Sequence, residues 1–249
     1  MIIKNNDKEY TQYQIRTDIK EIDYRDDKIK ETNIRKTRKY NYVDISIYKK
    51  YRNVAGVFNY IFSIDKYKDN YARNAIALVE YADRLNNPSK ELSESASVIR
   101  YVNNQYNGLR DKTNVVAYIM SDGIIGLTGY TLYISTKWRK IISFDPLVKE
   151  NKIYGRRFYT TKNYDYDIDI IDVNNDDIII IYGIHSHGNT QLLFDRMKDK
   201  YKNHRFIIAV LPCCFLEKTT LQSIEPKCVY MENSILSDKN TIYLYDGIF

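Results

Sequence analysis

The stretch DIIIIYGI, residues 177–184, limits the fold more than any other part of this chain. A strand with one face in water alternates apolar and polar side chains, whereas a run of consecutive isoleucines has both faces covered. Two further runs share this texture, NVVAYIM at 114–120 and RFIIAVL at 205–211. Helical spacings lie between them. LTGYTLYISTKW (127–138) predicts one helix. TQLLFDRMKDKYKN (190–203) predicts another, with Leu193, Met197 and Tyr201 on one face. KIISFDP (140–146) predicts a strand ending at Asp145–Pro146. Doubly buried strands alternating with helices imply an α/β architecture, a mostly parallel sheet with crossover helices on both faces. The C-terminal KCVYMENSILSDKNTIYLYDG predicts a hairpin turning at 237–240, an antiparallel addition to that sheet. A third strand is offered twice, by RRFYTTK (156–162) and by DIDIIDV (167–173).

This α/β domain is expected to span 111–249, with residues 1–110 as a basic and helical N-terminal extension. The chain has 249 residues and is 44% hydrophobic, enough for one sizeable core. Residues 1–35 show no clean period and predict a loop or a loosely docked arm. YARNAIALVEYADRLN (71–86) predicts a helix stopped by Asn86-Asn87-Pro88. A second helix is predicted over 89–106, with Leu92, Ala96, Ile99, Val102 and Tyr106 on one face.

The formal net charge is +6, and residues 1–52 carry most of the excess, with 14 Lys/Arg against 9 Asp/Glu. Within RKTRKYNYVDISIYKKYR (35–52), tyrosines are interleaved with the cations. Cations suit phosphates and rings suit bases, so RNA or single-stranded DNA is the implied partner. Arg35, Lys36, Arg38, Lys39, Tyr40 and Tyr42 are the candidate substrate-binding residues. A strand with outward cations and buried tyrosines has the same composition, and both readings stand.

Three cysteines, two of them adjacent, do not make a secreted disulfide framework. MIIKNNDKEY lacks a signal-peptide core, and IIIIYGI is too short to span a bilayer. The expectation is a soluble, cytoplasmic protein in a reducing compartment, without a membrane partner. The 25 tyrosines, with abundant Ile, Lys and Asn, fit an AT-rich genome, a virus or a microbe; for a virus the location would be a viral factory.

In such a sheet ligands bind beyond the carboxyl ends of the strands. After the first run comes SDGIIGLTG (121–129), whose glycines permit a tight turn and close backbone approach, followed by a helix N-terminus. Asp145 lies 22 residues after Gly123, at the end of the next strand. An acid there suits the ribose hydroxyls of a nucleotide cofactor. A strand-terminating turn would need the same residues. The six aspartates of 165–177 read as a solvated loop. After IIIIYGI come His185-Ser186-His187-Gly188-Asn189, and after RFIIAVL come Pro212-Cys213-Cys214-Phe215. His185 and His187 are the catalytic candidates, to orient an acceptor or take its proton; the alternative is a hydrogen-bonded loop. Cys213 and Cys214 read as packing at a strand end.

GIHSHGNT…VLPCCF resembles a group of S-adenosylmethionine (SAM) methyltransferases with H-x-C-G at one strand end and P-C-C-[YF] at the next. The group includes the tRNA 2′-O-methyltransferases with a CHHC finger and the glutathione-transferase-C-terminal-domain-like proteins. His187 stands where the group has cysteine. VVAYIMSDG, IISFDP and RRFYTTK resemble the poxvirus-type cap 2′-O-methyltransferases. The Lys-Asp-Lys-Glu tetrad of those enzymes is not matched, because Gly183-Ile184-His185 occupies the strand end. Both resemblances imply a Rossmann-like, seven-stranded methyltransferase sheet with an antiparallel C-terminal hairpin. They imply SAM, with Ser121, Asp122, Gly123, Gly126, Asp145 and Gly183 to hold it; they disagree on chemistry, and the expected reaction is methyl transfer to RNA, with a 2′-oxygen as one acceptor and no metal.

Two other readings stand beside this one. The irregular glycine turn and the missing tetrad suit a catalytically inactive relative, serving as a nucleic-acid-binding or regulatory subunit of a protein partner. His-x-His at a strand end also occurs in zinc hydrolases, including amidohydrolases and deubiquitinases with H-S-H-P. Asp195 and Asp199 would be the third ligands, and their spacing from His187 does not fit that pattern.

Overall fold

The computed structural model describes residues 2–4, 12–13, 42–43, 78, 81–82, 85–148, 151–163, 172–212, 219–233 and 235–249. The chain divides into two units, Met1–Ser89 and Lys90–Phe249.

In the first unit, β1 (Ile2–Lys4) is the middle of a three-stranded antiparallel sheet between β2 (Gln12–Tyr13) and β3 (Tyr42–Val43). Ile3 pairs with both Gln12 and Val43. The expectation of loop over 1–35 is therefore corrected at β1 and β2, where backbone pairing supplies an order that the irregular side-chain pattern does not. Of the helix predicted over 71–86, residues 78, 81–82 and 85–86 are described; the first three are helical and 85–86 form a bend. Arg35, Lys36, Arg38, Lys39 and Tyr40 lie outside the described residues, as does the side chain of Tyr42.

The helix α1 (Pro88–Gln105) starts two residues before the second unit, and its first residue is a proline, a position where no backbone donor is needed. There follow β4 (Val115–Met120), α2 (Leu127–Ser135), β5 (Lys140–Phe144), β6 (Lys152–Tyr154) and β7 (Phe158–Thr161). The chain continues with β8 (Ile178–Ile184), α3 (Thr190–Lys200), β9 (Arg205–Leu211), β10 (Cys228–Met231) and β11 (Thr241–Ile248). The eight strands lie in the order β10-β11-β9-β8-β4-β5-β7-β6. β4 pairs in parallel with β5 and β8, β5 with β7, and β8 with β9. β11 runs antiparallel between β9 and β10, and β6 is an antiparallel edge on β7. This is a Rossmann-like, doubly wound sheet, mostly parallel with antiparallel C-terminal strands. Two details differ from expectation. The C-terminal hairpin inserts its second strand inside the sheet instead of hanging on the edge, and β6 adds an eighth strand. RRFYTTK supplies the third strand, as β7.

The core explains the unbroken apolar runs. Val115, Ala117 and Ile119 of β4, with Ile180 and Tyr182 of β8, join a cluster with Val98, Ile99 and Val102 of α1 and Leu132 of α2. The alternate residues Val116, Tyr118, Ile179 and Ile181 join the opposite cluster, with Leu193, Phe194 and Met197 of α3. Successive strand residues point to opposite faces, so each isoleucine of the run is buried against a different helix layer. Of the acidic segment, residues 172–177 are described; Asp172 and Asp176 are exposed, as a solvated loop would have them, and Asp177 is the exception. Asp177 is buried and binds Arg139 through two hydrogen bonds, one of them from Nε to Oδ1 at 3.2 Å. This pair ties the start of β5 to the start of β8 across β4.

Ile180 is fully buried, whereas Ile153 on β6 is 66% exposed. Ile180→Ala is expected to lower unfolding free energy by roughly 2–5 kcal/mol in urea denaturation, and Ile153→Ala by less than about 0.5 kcal/mol. Equal losses would contradict burial of β8 on both faces.

Candidate functional site

From β4 the chain leads to β5, β7 and β6 on one side, then returns to β8 and β9 on the other. The order reverses between β4 and β8. A doubly wound sheet leaves its crevice at such a point, outside the carboxyl ends of the strands. Three loops meet there, after β4, β5 and β8.

After β4 the backbone turns sharply, with φ +46° at Ser121 and +71° at Gly123. A side chain added at Gly123 would meet nothing within 4 Å, so that glycine borders open space. Gly126, by contrast, is packed. Its φ is +66°, and a Cβ there would lie 3.0 Å from Thr160. Gly129, inside α2, has no room either, because a Cβ would fall 2.1 Å from Ser143 Oγ. The spacing G-x-x-G-x-x-G thus divides its work. The first glycine borders open space, and the other two let α2 press onto β5 and β7.

Asp122 fixes the start of α2. Its carboxylate accepts hydrogen bonds from the backbone N–H of Thr128 at 2.9 Å and of Gly129 at 2.8 Å, and from Ser143 Oγ at 2.6 Å. Negative charge at a helix N-terminus satisfies donors that the helix itself leaves open. Burial nevertheless pushes the Asp122 carboxyl up to about 6, against these hydrogen bonds, which favour the ionised form.

Asp145 lies beside Gly123, as the spacing predicts. Gly123 N–H donates to its Oδ2 at 2.9 Å, and Leu147 N–H donates to its Oδ1 at 2.7 Å. The side chain clasps the β4 loop to the β5 loop. Each carboxylate oxygen can accept more than one hydrogen bond, so capacity remains for hydroxyl donors.

After β8 comes His185, with φ +49°, an uncommon conformation for a non-glycine residue. Its backbone N–H donates to Leu211 O at 2.9 Å, anchoring the turn to β9. Its Nε2 lies 2.8 Å from Glu94 Oε1. Gly183 is buried within β8, and a Cβ there would make only ordinary contacts. Ser186 is fully buried, His187 is exposed, and Asn189 caps α3 by accepting from Leu192 N–H at 3.0 Å. Cys213 and Cys214 lie outside the described residues.

Glu94 comes from α1, on which sequence reasoning placed no site residue. Its side chain is fully buried, and Lys90 Nζ lies 3.2 Å from the same oxygen that faces His185. Ser95 Oγ lies 3.0 Å from Thr128 Oγ1, and Leu236 N–H donates to Ser93 Oγ at 3.1 Å, so α1 is held in register with α2 and the 235–236 segment. Burial, with the charge of Glu94 adding to it, pushes the Glu91 carboxyl above its ordinary value. The signal in the sequence is SESAS (93–97). One long acid stands among small side chains, in a helix segment that neighbours approach from all sides. Among the described residues no three of His, Cys, Asp or Glu gather as a metal ion requires.

No family model matches the chain, and no curated protein matches it. Several solved structures do. MtNAS in complex with MTA and tNA is 11% identical with a TM-score of 0.42, covering 77% of this chain and 75% of that one. MycE methyltransferase from the mycinamycin biosynthetic pathway, with Mg and SAH, is 12% identical with a TM-score of 0.37. The plantazolicin methyltransferase BpumL, with SAH and a desmethylPZN analogue, is 13% identical with a TM-score of 0.31 over 67% of this chain and 61% of that one. The match covers 63% of this chain and only 48% of MycE, about half its length. At these identities and scores no residue role is carried over.

The position of Asp122 has a pH signature. Its folded value near 6 lies above the ordinary 3.8, so the native state holds the proton more tightly. The native state is therefore favoured below about 4, and this contribution is lost as pH rises through about 6. Unfolding free energies at pH 4 and 7 should show wild type losing stability relative to Asp122→Asn as pH rises. A constant difference would contradict the burial of this carboxylate.

Proposed function

We propose that the protein is a SAM-dependent methyltransferase acting on RNA, at a 2′-hydroxyl. The observation that carries the cofactor reading is the clasp between Gly123 and Asp145 at the point where strand order reverses. A glycine bordering open space and an acid with accepting capacity are brought within hydrogen-bonding distance, at the place where a doubly wound sheet takes a nucleotide-like ligand. Asp145 would accept from the ribose hydroxyls. The backbone at Ser121 and Gly123 would approach the amino-acid portion, and Gly183 lies at the end of the neighbouring strand. Bound there, SAM supplies an electrophilic methyl group. The chain's own residues align an acceptor with that group and hold the proton the acceptor releases, work in which positioning dominates. In this reading His185 or His187 would take that proton. The basic, tyrosine-rich stretch around Arg35–Tyr42 would hold the RNA through phosphate and stacking contacts.

One observation favours the second reading, a binding or regulatory subunit that has lost catalysis. The N–H groups of Thr128 and Gly129 at the start of α2 are already taken by Asp122, which leaves fewer backbone donors for a ligand.

Calorimetric titration with SAM and with S-adenosylhomocysteine separates the two. The expected dissociation constant is of order micromolar, weakened at least about tenfold in Asp145→Ala shown to be folded. Absence of binding to folded wild type would move the weight to the subunit reading. For the RNA, Lys/Arg→Ala substitutions across 35–52 should lower both affinity and the steepness of its salt dependence in filter binding. Unchanged binding would remove the arm from recognition.

A further inference from the structure

We infer that Asp122 is a specificity-determining residue, whose carboxylate fills the anion-binding end of α2 and so turns away any ligand that brings a phosphate to this point. In doubly wound sheets the helix after the opening strand offers its free N–H groups to a ligand's phosphate. Here two of those donors are taken from within the chain. Asp122 Oδ1 accepts from Thr128 N–H at 2.9 Å. Its Oδ2 accepts from Gly129 N–H at 2.8 Å and from Ser143 Oγ at 2.6 Å. Both oxygens are engaged, and the carboxylate holds the donors that a phosphate would need.

Two further observations support the closure. The first is packing. A Cβ at Gly126, the residue that precedes α2, would lie 3.0 Å from Thr160, and one at Gly129 would lie 2.1 Å from Ser143 Oγ. The first turn of α2 therefore leaves no gap against β5 and β7 in which an anion could reach it. The second is charge. Asp145 accepts from Gly123 N–H at 2.9 Å, so a second carboxylate stands at the residue next to Asp122. Among the described residues no ion pair offsets either acid. Two uncompensated carboxylates repel an incoming anion and attract a cation. The ligand class that fits is a nucleoside, with hydroxyls for Asp145 and a neutral or cationic group in place of phosphates. A sulfonium cofactor belongs to this class; a dinucleotide or a nucleoside triphosphate does not. The use of this selection rests on the methyl-transfer reading, whereas the closure itself does not.

Inorganic pyrophosphate is the probe, titrated at about pH 8, where the Asp122 carboxyl, pushed up to about 6 by burial, is ionised. The backbone amide NMR shifts of Thr128 and Gly129 report on the helix end. They separate it from phosphate bound elsewhere on a chain of net charge +6. In wild type both amides are expected to stay unmoved up to about 10 mM. In Asp122→Ala, which frees the two donors, they should move saturably, with affinity at least about tenfold above wild type. Movement of the wild-type amides overturns the proposal, as does a folded Asp122→Ala whose amides stay unmoved. If that variant does not fold, the same criteria apply to Asp122→Asn, which keeps the size and removes the charge. The titration needs no SAM, so failure of the cofactor reading and failure of this selection are separate outcomes.

Discussion

The carboxyl edge of the sheet is held in place by the burial of β4 and β8 on both faces. Parallel pairing of Val116 with Ile179 and of Ile119 with Tyr182 sets the two strands in one register. A slip of one residue would exchange the two faces and send Ile180 and Ile181 to the wrong helix layers. With register locked, Ser121 and His185 emerge from adjacent strands at matched height. The site depends on this apolar register more than on any polar contact within it. Each buried isoleucine contributes roughly 1.5–3 kcal/mol, whereas the net gain from a typical hydrogen bond is about 1 kcal/mol.

The polar contacts then convert register into local shape. Asp122 draws the start of α2 onto Ser143, while the side-chain-free faces of Gly126 and Gly129 allow the approach. Asp145 joins the β4 loop to the β5 loop through Gly123. Two neighbouring carboxylates therefore have unlike environments. One closes the helix from within, and the other stands beside a glycine that borders open space. A sequence motif containing both acids does not distinguish them; the difference lies in which backbone donors face each one.

This explains how far the sequence is legible. Consecutive isoleucines, helix spacings and the C-terminal hairpin carry the sheet, because burial on two faces leaves a direct mark on composition. The Gly123–Asp145 pairing is legible for the same reason, since a strand–helix–strand unit brings residues at that separation together. The position of β11 inside the sheet is not, because β10 and β11 each read as strand whichever of them lies next to β9. The placement of Glu94 is hidden for a further reason. Its partner His185 is 91 positions away, and α1, counted with the N-terminal extension by its place in the chain, packs into the sheet's own core.

A buried glutamate on a helix of small side chains is an expensive feature in a chain free to replace it with an apolar residue. Replacing a buried ion pair with well-packed hydrophobic groups is often neutral or stabilising, so stability alone does not explain Glu94. Lys90 sits one turn earlier and balances its charge, yet the acid stands 2.8 Å from the ring nitrogen of a residue with a constrained backbone. Local rules are broken twice within one contact, by a buried charge and by a left-handed histidine. Such features persist only where the surrounding structure holds them, here the hydrogen bond from His185 N–H to Leu211 O and the packing of α1 against the sheet. The register between β4 and β8 brings the loops that carry Ser121 and His185 to the same edge of the sheet, where strand order reverses.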